Sequence, residues 1–266
     1  MWAFAEKNIF KKIELTRNLD LNQIRSFSGQ TPLKPSRDIE LLVPKKLPPK
    51  KGISTSEGQA RMLHDLASIE LQAMELGLRT LVDFPDAPDE FKVNLYKLTL
   101  EEANHLEMCL IEIEKLGFKW GSWPVHTALW EATSTEDSLL DRILIVHRYL
   151  EGSGLDAGDT LFRRLQAIDC PSVKMAVRKI GDEEIGHVLF GSEWYRKICK
   201  LENIDPGVDY FTRMTKLRGI LPKRIEPVNI DLRLKAGFTH DEITYLQNLR
   251  HSFMEKESPW KKVHVD

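Results

Sequence analysis

The sequence has few cysteines, no long hydrophobic run and no excess of charge of either sign. Its three cysteines, at positions 109, 170 and 199, form no Cys-x-x-Cys pair, which predicts reduced thiols in a cytoplasmic protein. The longest hydrophobic run, residues 1–5, is too short to cross a membrane. Charged residues within the first fourteen positions also argue against a secretory signal peptide.

The charge balance gives no indication of a nucleic-acid partner. The chain has 38 basic and 40 acidic residues, a net charge of −2, and 42% hydrophobic residues, as expected of a soluble globular protein. One basic stretch, VPKKLPPKKG at 43–52, contains four lysines and three prolines. We interpret it as a solvated loop, with a contact to phosphate as the alternative.

Beyond residue 53 the pattern is helical, and no useful length of strand alternation occurs. Four long helices are predicted, over about 54–82, from 89 to Gly117, over about 134–151 with a continuation to 168, and from Pro171 to about 202. Shorter helices are predicted near 208–219 and 239–255. Three S/T-x-x-E capping boxes predict helix starts, namely Ser54 with Glu57, Thr133 with Glu136, and Thr239 with Glu242. The first 53 residues are interpreted as an arm, which gives an antiparallel bundle with additions at both ends.

Acids and histidines interrupt the apolar stripe of each long helix. Residues three and four apart share one helix face, so these side chains are predicted to point into the bundle core. They are Glu70 in the first helix, Glu102 and His105 in the second, His147 and Glu151 in the third, and Glu184 and His187 in the fourth.

Two bound metal ions would balance the negative charge of the carboxylates in such a core. Four buried carboxylates repel one another and lose solvation unless cations balance them. The pattern Glu-x-x-His occurs twice, at Glu102 and Glu184, and a further in-stripe glutamate precedes each one by 32 or 33 residues. This is the ligand arrangement of di-iron and di-manganese carboxylate bundles. The predicted ligands are Glu70, Glu102, His105, Glu151, Glu184 and His187.

The roles of the neighbouring residues are less well defined by the pattern. Glu101 and Glu183 precede the two Glu-x-x-His motifs and either support the ligand histidines or lie on solvated faces. His147 is an additional ligand, a proton carrier or a core histidine with satisfied hydrogen bonds, and we favour the last. Cys109 lies near the predicted site or is simply packed.

Six segments carry a resemblance to a known family. They are ASIELQAMELG (67–77), EEANHLEM (101–108), GSWPVHTALWEAT (121–133), YLEGSGLDAGDTL (149–161), GDEEIGHVLFGSEWY (181–195) and EPVNIDLRLKAGFT (226–239). Over roughly 55–245 the chain resembles a bacterial ferritin-like family catalogued as a conserved domain of unknown function. The resemblance places the metal ligands on the same six residues. It also implies an Asp-Glu-x-x-His motif in the fourth helix, where this chain has Glu183 and Glu184.

The resulting expectation is an all-α, ferritin-like four-helix bundle at 54–205, with an N-terminal arm at 1–53 and a C-terminal helical extension at 206–266. The leading hypothesis is a di-iron oxidoreductase that uses O₂ to oxidise a small organic substrate, with manganese or mixed Mn/Fe as alternatives. Iron handling as a ferroxidase and a structural bundle without catalysis are the other hypotheses. A homodimer is a guess from the fold class. Trp123, His126, Trp130 and Arg233 either line a substrate pocket or anchor the additional helices.

Overall fold

Helices make up the regular structure of residues 3–25 and 31–257, the part of the chain that the computed structural model describes. Within these ranges the β-structure is limited to an isolated parallel bridge between Leu41 and Val125. The α-helices are α1 (Ile9–Asn18), α2 (Leu21–Arg25), α3 (Ser56–Asp83), α4 (Asp89–Lys115), α5 (Ala128–Glu131), α6 (Leu139–Ile143), α7 (Gly152–Leu165), α8 (Pro171–Leu201), α9 (Pro206–Leu217), α10 (Ile230–Lys235) and α11 (His240–Glu257). A 3₁₀ turn covers Pro44–Lys46, and a π-helical segment, Leu144–Glu151, connects α6 to α7.

The third long helix differs most from its prediction. It begins at Leu139 instead of about 134, because Ser138 and Asp141 form the capping pair: Asp141 N–H donates to Ser138 Oγ (3.1 Å) and Ser138 N–H donates to Asp141 Oδ2 (3.2 Å). The capping box predicted at Thr133 is therefore wrong. Its middle is π-helical over Leu144–Glu151, which an ordinary stripe spaced three and four residues apart does not predict.

The other two predicted capping boxes had different outcomes. At the start of α3 the cap is Thr55, whose Oγ1 accepts from Gly58 N–H at 3.1 Å, so the prediction of Ser54 was one residue too early. The box at Thr239 is confirmed, since Glu242 N–H donates to Thr239 Oγ1 and Thr239 N–H donates to Glu242 Oε2.

The described residues divide into two compact units. The first comprises those of Met1–Arg142 and Leu165–Ile180, and the second those of Ile143–Arg164 and Gly181–Asp266. In the first unit α3 and α4 pack along their length around buried leucines. Their close approach requires a glycine, because a Cβ at Gly77 would lie 2.2 Å from Thr99 Oγ1. The domain boundaries predicted at residues 53 and 205 stay a prediction.

Within the first unit, residues before α3 pack onto α3 through a buried ion cluster. Lys12 on α1 donates to Glu75 on α3 at 2.5 Å, and both side chains are at most 1% exposed. Arg37 donates to both oxygens of the same carboxylate. Two cations therefore share one buried anion, and desolvation lowers the pKa of Lys12.

The second unit contains a buried charged cluster around the π-helical segment. Arg148 donates to Glu242 on α11 at 2.8 Å, and its guanidinium carbon lies 4.5 Å from the ring centre of Phe238 and 4.7 Å from that of Tyr210. Asp156 on α7 accepts from Arg233 on α10 at 2.6 Å and from Arg250 on α11 at 2.7 Å. These contacts attach the C-terminal helices to the segment that carries His147 and Glu151.

A membrane-spanning helix is not found in the described residues: none of their helices combines the length and the apolar composition that crossing a bilayer requires.

Candidate metal centre

Three predicted ligands lie together on α3 and α4. Glu70 is 3% exposed, and Glu102 and His105 are fully buried. His105 Nδ1 lies 3.6 Å from Glu70 Oε2 and 3.6 Å from Glu102 Oε2. Both separations exceed a good hydrogen bond, but they match two donor atoms that bind the same metal ion at about 2.1 Å each.

The second Glu-x-x-His motif forms a similar pair on α8. His187 Nδ1 lies 3.2 Å from Glu184 Oε1, with His187 2% exposed and Glu184 half-buried. In both motifs Nδ1 is the ring nitrogen that faces the carboxylate, because residues three apart in a helix lie one above the other. Each helical turn thus offers one oxygen and one nitrogen to the same point.

Four of the six predicted ligands form a group that could hold a metal ion. Ligand atoms of Glu102, His105, Glu184 and His187 all lie within 4.8 Å of one another. Opposite ligands of a single ion are about 4.2 Å apart at bond lengths near 2.1 Å, and two ions in one site are about 3.5–4 Å apart. Mixed carboxylate and imidazole donors suit iron, manganese and zinc, so the residues present fit a metal.

The remaining two predicted ligands are outside this group of four. Glu70 is outside the group of four but adjoins His105. Glu151, at the end of the π-helical segment, lies against His147, whose Nδ1 is 3.0 and 2.9 Å from the two carboxylate oxygens. His147 is 1% exposed, and its Nε2 has no hydrogen-bond partner among the described residues. Its role as an additional ligand, a proton carrier or a core histidine stays a prediction.

Residues next to the ligands differ in exposure. Glu101 is exposed on α4 and Glu183 is half-buried on α8, so their supporting role stays a prediction. Cys109, one turn after His105, is fully buried. Burial, and then the charge of Glu70, raises the pKa of its thiol well above the ordinary value, which keeps it protonated.

The four residues suggested to line a pocket make mainly protein contacts. Trp130 is 1% exposed and donates from Nε1 to the carbonyl of Leu33, and Arg233 is fully buried against Asp156. His126 Nδ1 accepts from Ala128 N–H at 3.2 Å. Trp123 is half-buried beneath the guanidinium of Arg61. Anchoring explains these contacts of Trp130 and Arg233, and a substrate-pocket role for all four stays a prediction.

Two features of the structure were missed by the sequence reasoning. Arg148 is buried with Glu242, 94 residues away in the chain, and no local pattern indicates that pairing. Arg61 and His64 on α3 are also buried, although neither residue belongs to the apolar stripe of this helix. Long-range partners, such as Gly121 N–H at 3.2 Å from His64 Nε2, decide the burial of such residues.

The fold and the site together define a class: an all-helical protein with a Glu/His group capable of holding a metal. The chain belongs to the family described as "Protein of unknown function (DUF455)", whose model matches residues 5–244. It is 30% identical over 256 residues to an "Uncharacterized protein" of Haemophilus influenzae, covering 92% of this chain and 86% of that one. No solved structure matches.

Proposed function

We propose that this protein is a dinuclear metal carboxylate protein that uses O₂ to oxidise a small organic substrate. The observation that carries the proposal is the group of Glu102, His105, Glu184 and His187 within 4.8 Å. The ferritin-like four-helix bundle predicted from the sequence is part of this proposal, as is iron in preference to manganese.

The charge of the site supports two cations. Glu102 is fully buried, Glu70 is 3% exposed and Glu184 is half-buried, so this carboxylate charge is largely removed from water. Each buried carboxylate costs several kcal/mol unless it is paired. Two divalent ions balance four glutamates, including Glu151, without requiring a lysine or arginine in the group.

Each ion would be held by one Glu-x-x-His turn and one further glutamate. Glu70, Glu102 and His105 would bind one ion, and Glu151, Glu184 and His187 would bind the other. Bound iron supplies the one-electron redox chemistry with O₂ that protein side chains lack. The contact of His147 with both oxygens of Glu151 fixes that carboxylate, as supporting hydrogen bonds to metal ligands do elsewhere.

Metal analysis of the full chain, purified after expression with iron and manganese, tests the metal part of the proposal. We expect about two redox-active ions per chain, as in other two-metal carboxylate bundles. Glu102→Gln and Glu184→Gln should each lose metal, whereas Glu114→Gln and Glu193→Gln, at exposed positions of the same two helices, should retain it. Zinc alone, no metal, or equal loss in all four variants would contradict the proposal.

A separate measurement tests the reaction. Loaded protein supplied with a reductant should consume O₂ and give a product that depends on both O₂ and substrate. Gel filtration and iron loading distinguish this reaction from iron storage. A shell of many subunits that takes up iron far beyond the two site ions would overturn the oxidase proposal in favour of iron handling.

A further inference from the structure

Arg61 on α3 carries buried hydrogen-bond donors that the protein does not satisfy. The residue is 3% exposed, and its Nε donates to Asp65 Oδ1 at 3.0 Å. Its Nη1 and Nη2 are buried and have no hydrogen-bond partner within residues 3–25 and 31–257. Leaving charged donors unsatisfied costs more free energy than leaving a neutral group unsatisfied, so an acceptor from outside the chain is expected at this position.

The same helix contains a completed version of this arrangement. Arg79 also donates from Nε to an aspartate four residues later, Asp83, and lies over a tryptophan ring, Trp130, at 4.6 Å. There, however, Nη1 donates to Thr133 Oγ1 at 2.9 Å, so the protein supplies the acceptor. The guanidinium carbon of Arg61 lies 5.6 Å from the ring centre of Trp123. Compared with Arg79, Arg61 lacks an acceptor for its Nη atoms among the described residues.

His64 adds a third donor on the same face of α3. Its Nε2 accepts from Gly121 N–H at 3.2 Å, so a neutral ring carries its hydrogen on Nδ1. In the part of the chain that the structure describes, Nδ1 has no hydrogen-bond partner. Burial lowers the pKa of His64 to about 4, which keeps the ring neutral at pH 7. Both His64 and Arg61 contact the ring of Trp123, with the two ring centres of His64 and Trp123 5.4 Å apart.

The local charge favours an anion. Lys50 Nζ lies 2.7 Å from Asp65 Oδ2, and Asp65 also accepts from Arg61, so two cations face one carboxylate. With His64 neutral, this cluster has a net charge of +1. A water molecule brings hydrogens that need acceptors of their own, whereas an oxyanion brings acceptors only and matches the fork of a guanidinium.

We propose that Arg61 and His64 form a binding site for an oxyanion, the phosphate or carboxylate group of a small molecule. Arg61 Nη1 and Nη2 donate to two oxygens, and His64 Nδ1–H donates to one of them. Lys50, which is 64% exposed, contributes its charge from the surface side of Asp65. This site involves none of the proposed metal ligands, so it does not depend on the proposed function.

Titration of the full-length protein with sodium phosphate and with sodium acetate tests the site. Chloride at equal ionic strength is the reference. Trp120 and Trp123 contact His64, and their fluorescence reports on the site. We expect a saturable change with a half-saturation concentration on the order of 1 mM, the same in metal-loaded and in EDTA-treated protein. Tighter binding of phosphate identifies a phosphate ligand, and tighter binding of acetate a carboxylate ligand; either result supports an oxyanion site.

Two matched substitutions localise the effect. Arg61→Lys keeps the charge beside Asp65 but removes the guanidinium fork, and should weaken binding about tenfold or more. Arg79→Lys makes the same change at the completed arrangement and should leave the half-saturation concentration unchanged. His64→Phe removes the third donor while keeping a ring, and it serves as the second variant if Arg61→Lys does not fold.

Three outcomes would contradict the proposed oxyanion site. They are no saturable response of the wild-type protein to either anion, equal weakening by Arg61→Lys and Arg79→Lys, and a response that disappears when the metal is removed. The last would assign the anion to the metal centre instead, and leaves the proposed function intact.

Discussion

His105 Nδ1 on α4 lies 3.6 Å from a carboxylate oxygen of Glu70 on α3. The sequence places these residues 35 positions apart, and the packing of α3 against α4 brings them together. The separation leaves room for a shared ion and is too long for a strong direct hydrogen bond. Glu70 is therefore the residue that most directly tests whether the site extends beyond the group of four.

Replacing Glu70 with glutamine should lower the metal content by about one ion per chain, because one carboxylate ligand is lost. It should also reduce the stabilisation that metal gives. A ligand at 100 times its Kd stabilises the folded state by about 2.7 kcal/mol, and part of this should disappear. Metal analysis and melting with and without EDTA measure both effects. Glu57→Gln on α3, at a surface pair with Lys51, is the control and should change neither.

Gly191 permits the π-helical segment to approach α8, because a Cβ at this position would lie 2.4 Å from His147 Cβ. Gly191→Ala should therefore destabilise the protein by about 1–3 kcal/mol, the cost of overpacking. Gly181→Ala, on the same helix with nothing within 4 Å, should be neutral or stabilising by up to about 1 kcal/mol. Equal urea midpoints for the two variants would contradict the close approach.

Asp156 neutralises two buried arginines, Arg233 and Arg250. Asp156→Asn removes that charge and should cost about 3–5 kcal/mol in the free energy of unfolding, as breaking a buried ion pair does. Asp159→Asn, one turn away, breaks a pair with the 70% exposed Arg163 and should cost less than about 1 kcal/mol. A small effect at Asp156 in chemical denaturation would show that the cluster contributes little to stability.

Stability should fall below pH 6.5 because of His64. Burial lowers its pKa in the folded state to about 4, against an ordinary value of 6.5. Between these values His64 binds a proton in the unfolded chain but not in the folded chain. The stabilisation that the neutral ring contributes is therefore complete above pH 6.5 and decreases towards pH 4. The slope is at most about 1.4 kcal/mol per pH unit.

His64→Gln should remove that part of the slope while leaving the rest of the pH profile. Denaturation of both proteins from pH 7 to pH 4 in chloride buffer provides the comparison. Parallel profiles would mean that His64 titrates normally in the folded protein.

The sequence predicts the long helices well where local signals agree. Pro171 and Asp89 start helices as expected, and Gly117 follows α4 with a positive φ of 84°. The stripe also predicts that Glu102 lies on one face with His105, and Glu184 on one face with His187, since helical spacing fixes which residues of a helix share a face.

Other features depend on contacts between distant residues. The burial of Lys12 depends on its ion pair with Glu75, 63 residues away in the chain, and no local pattern indicates that pairing. The amino-acid composition of Leu144–Glu151 does not distinguish this π-helical segment from an ordinary α-helix. The sequence does not indicate the unsatisfied donors of Arg61. Arg61 and Arg79 both lie four residues before an aspartate, and only their contacts with distant residues differ.

The buried charges around the π-helical segment also determine when this segment can be buried during protein synthesis. Glu242 follows Arg148 by 94 residues, and Arg250 follows Asp156 by the same number. At ribosomal rates of about 5–20 residues per second, these partners emerge roughly 5–20 seconds later. Until then Arg148 and Asp156 must remain hydrated, so the nascent chain cannot bury the segment that carries His147 and Glu151 before its last helices are made.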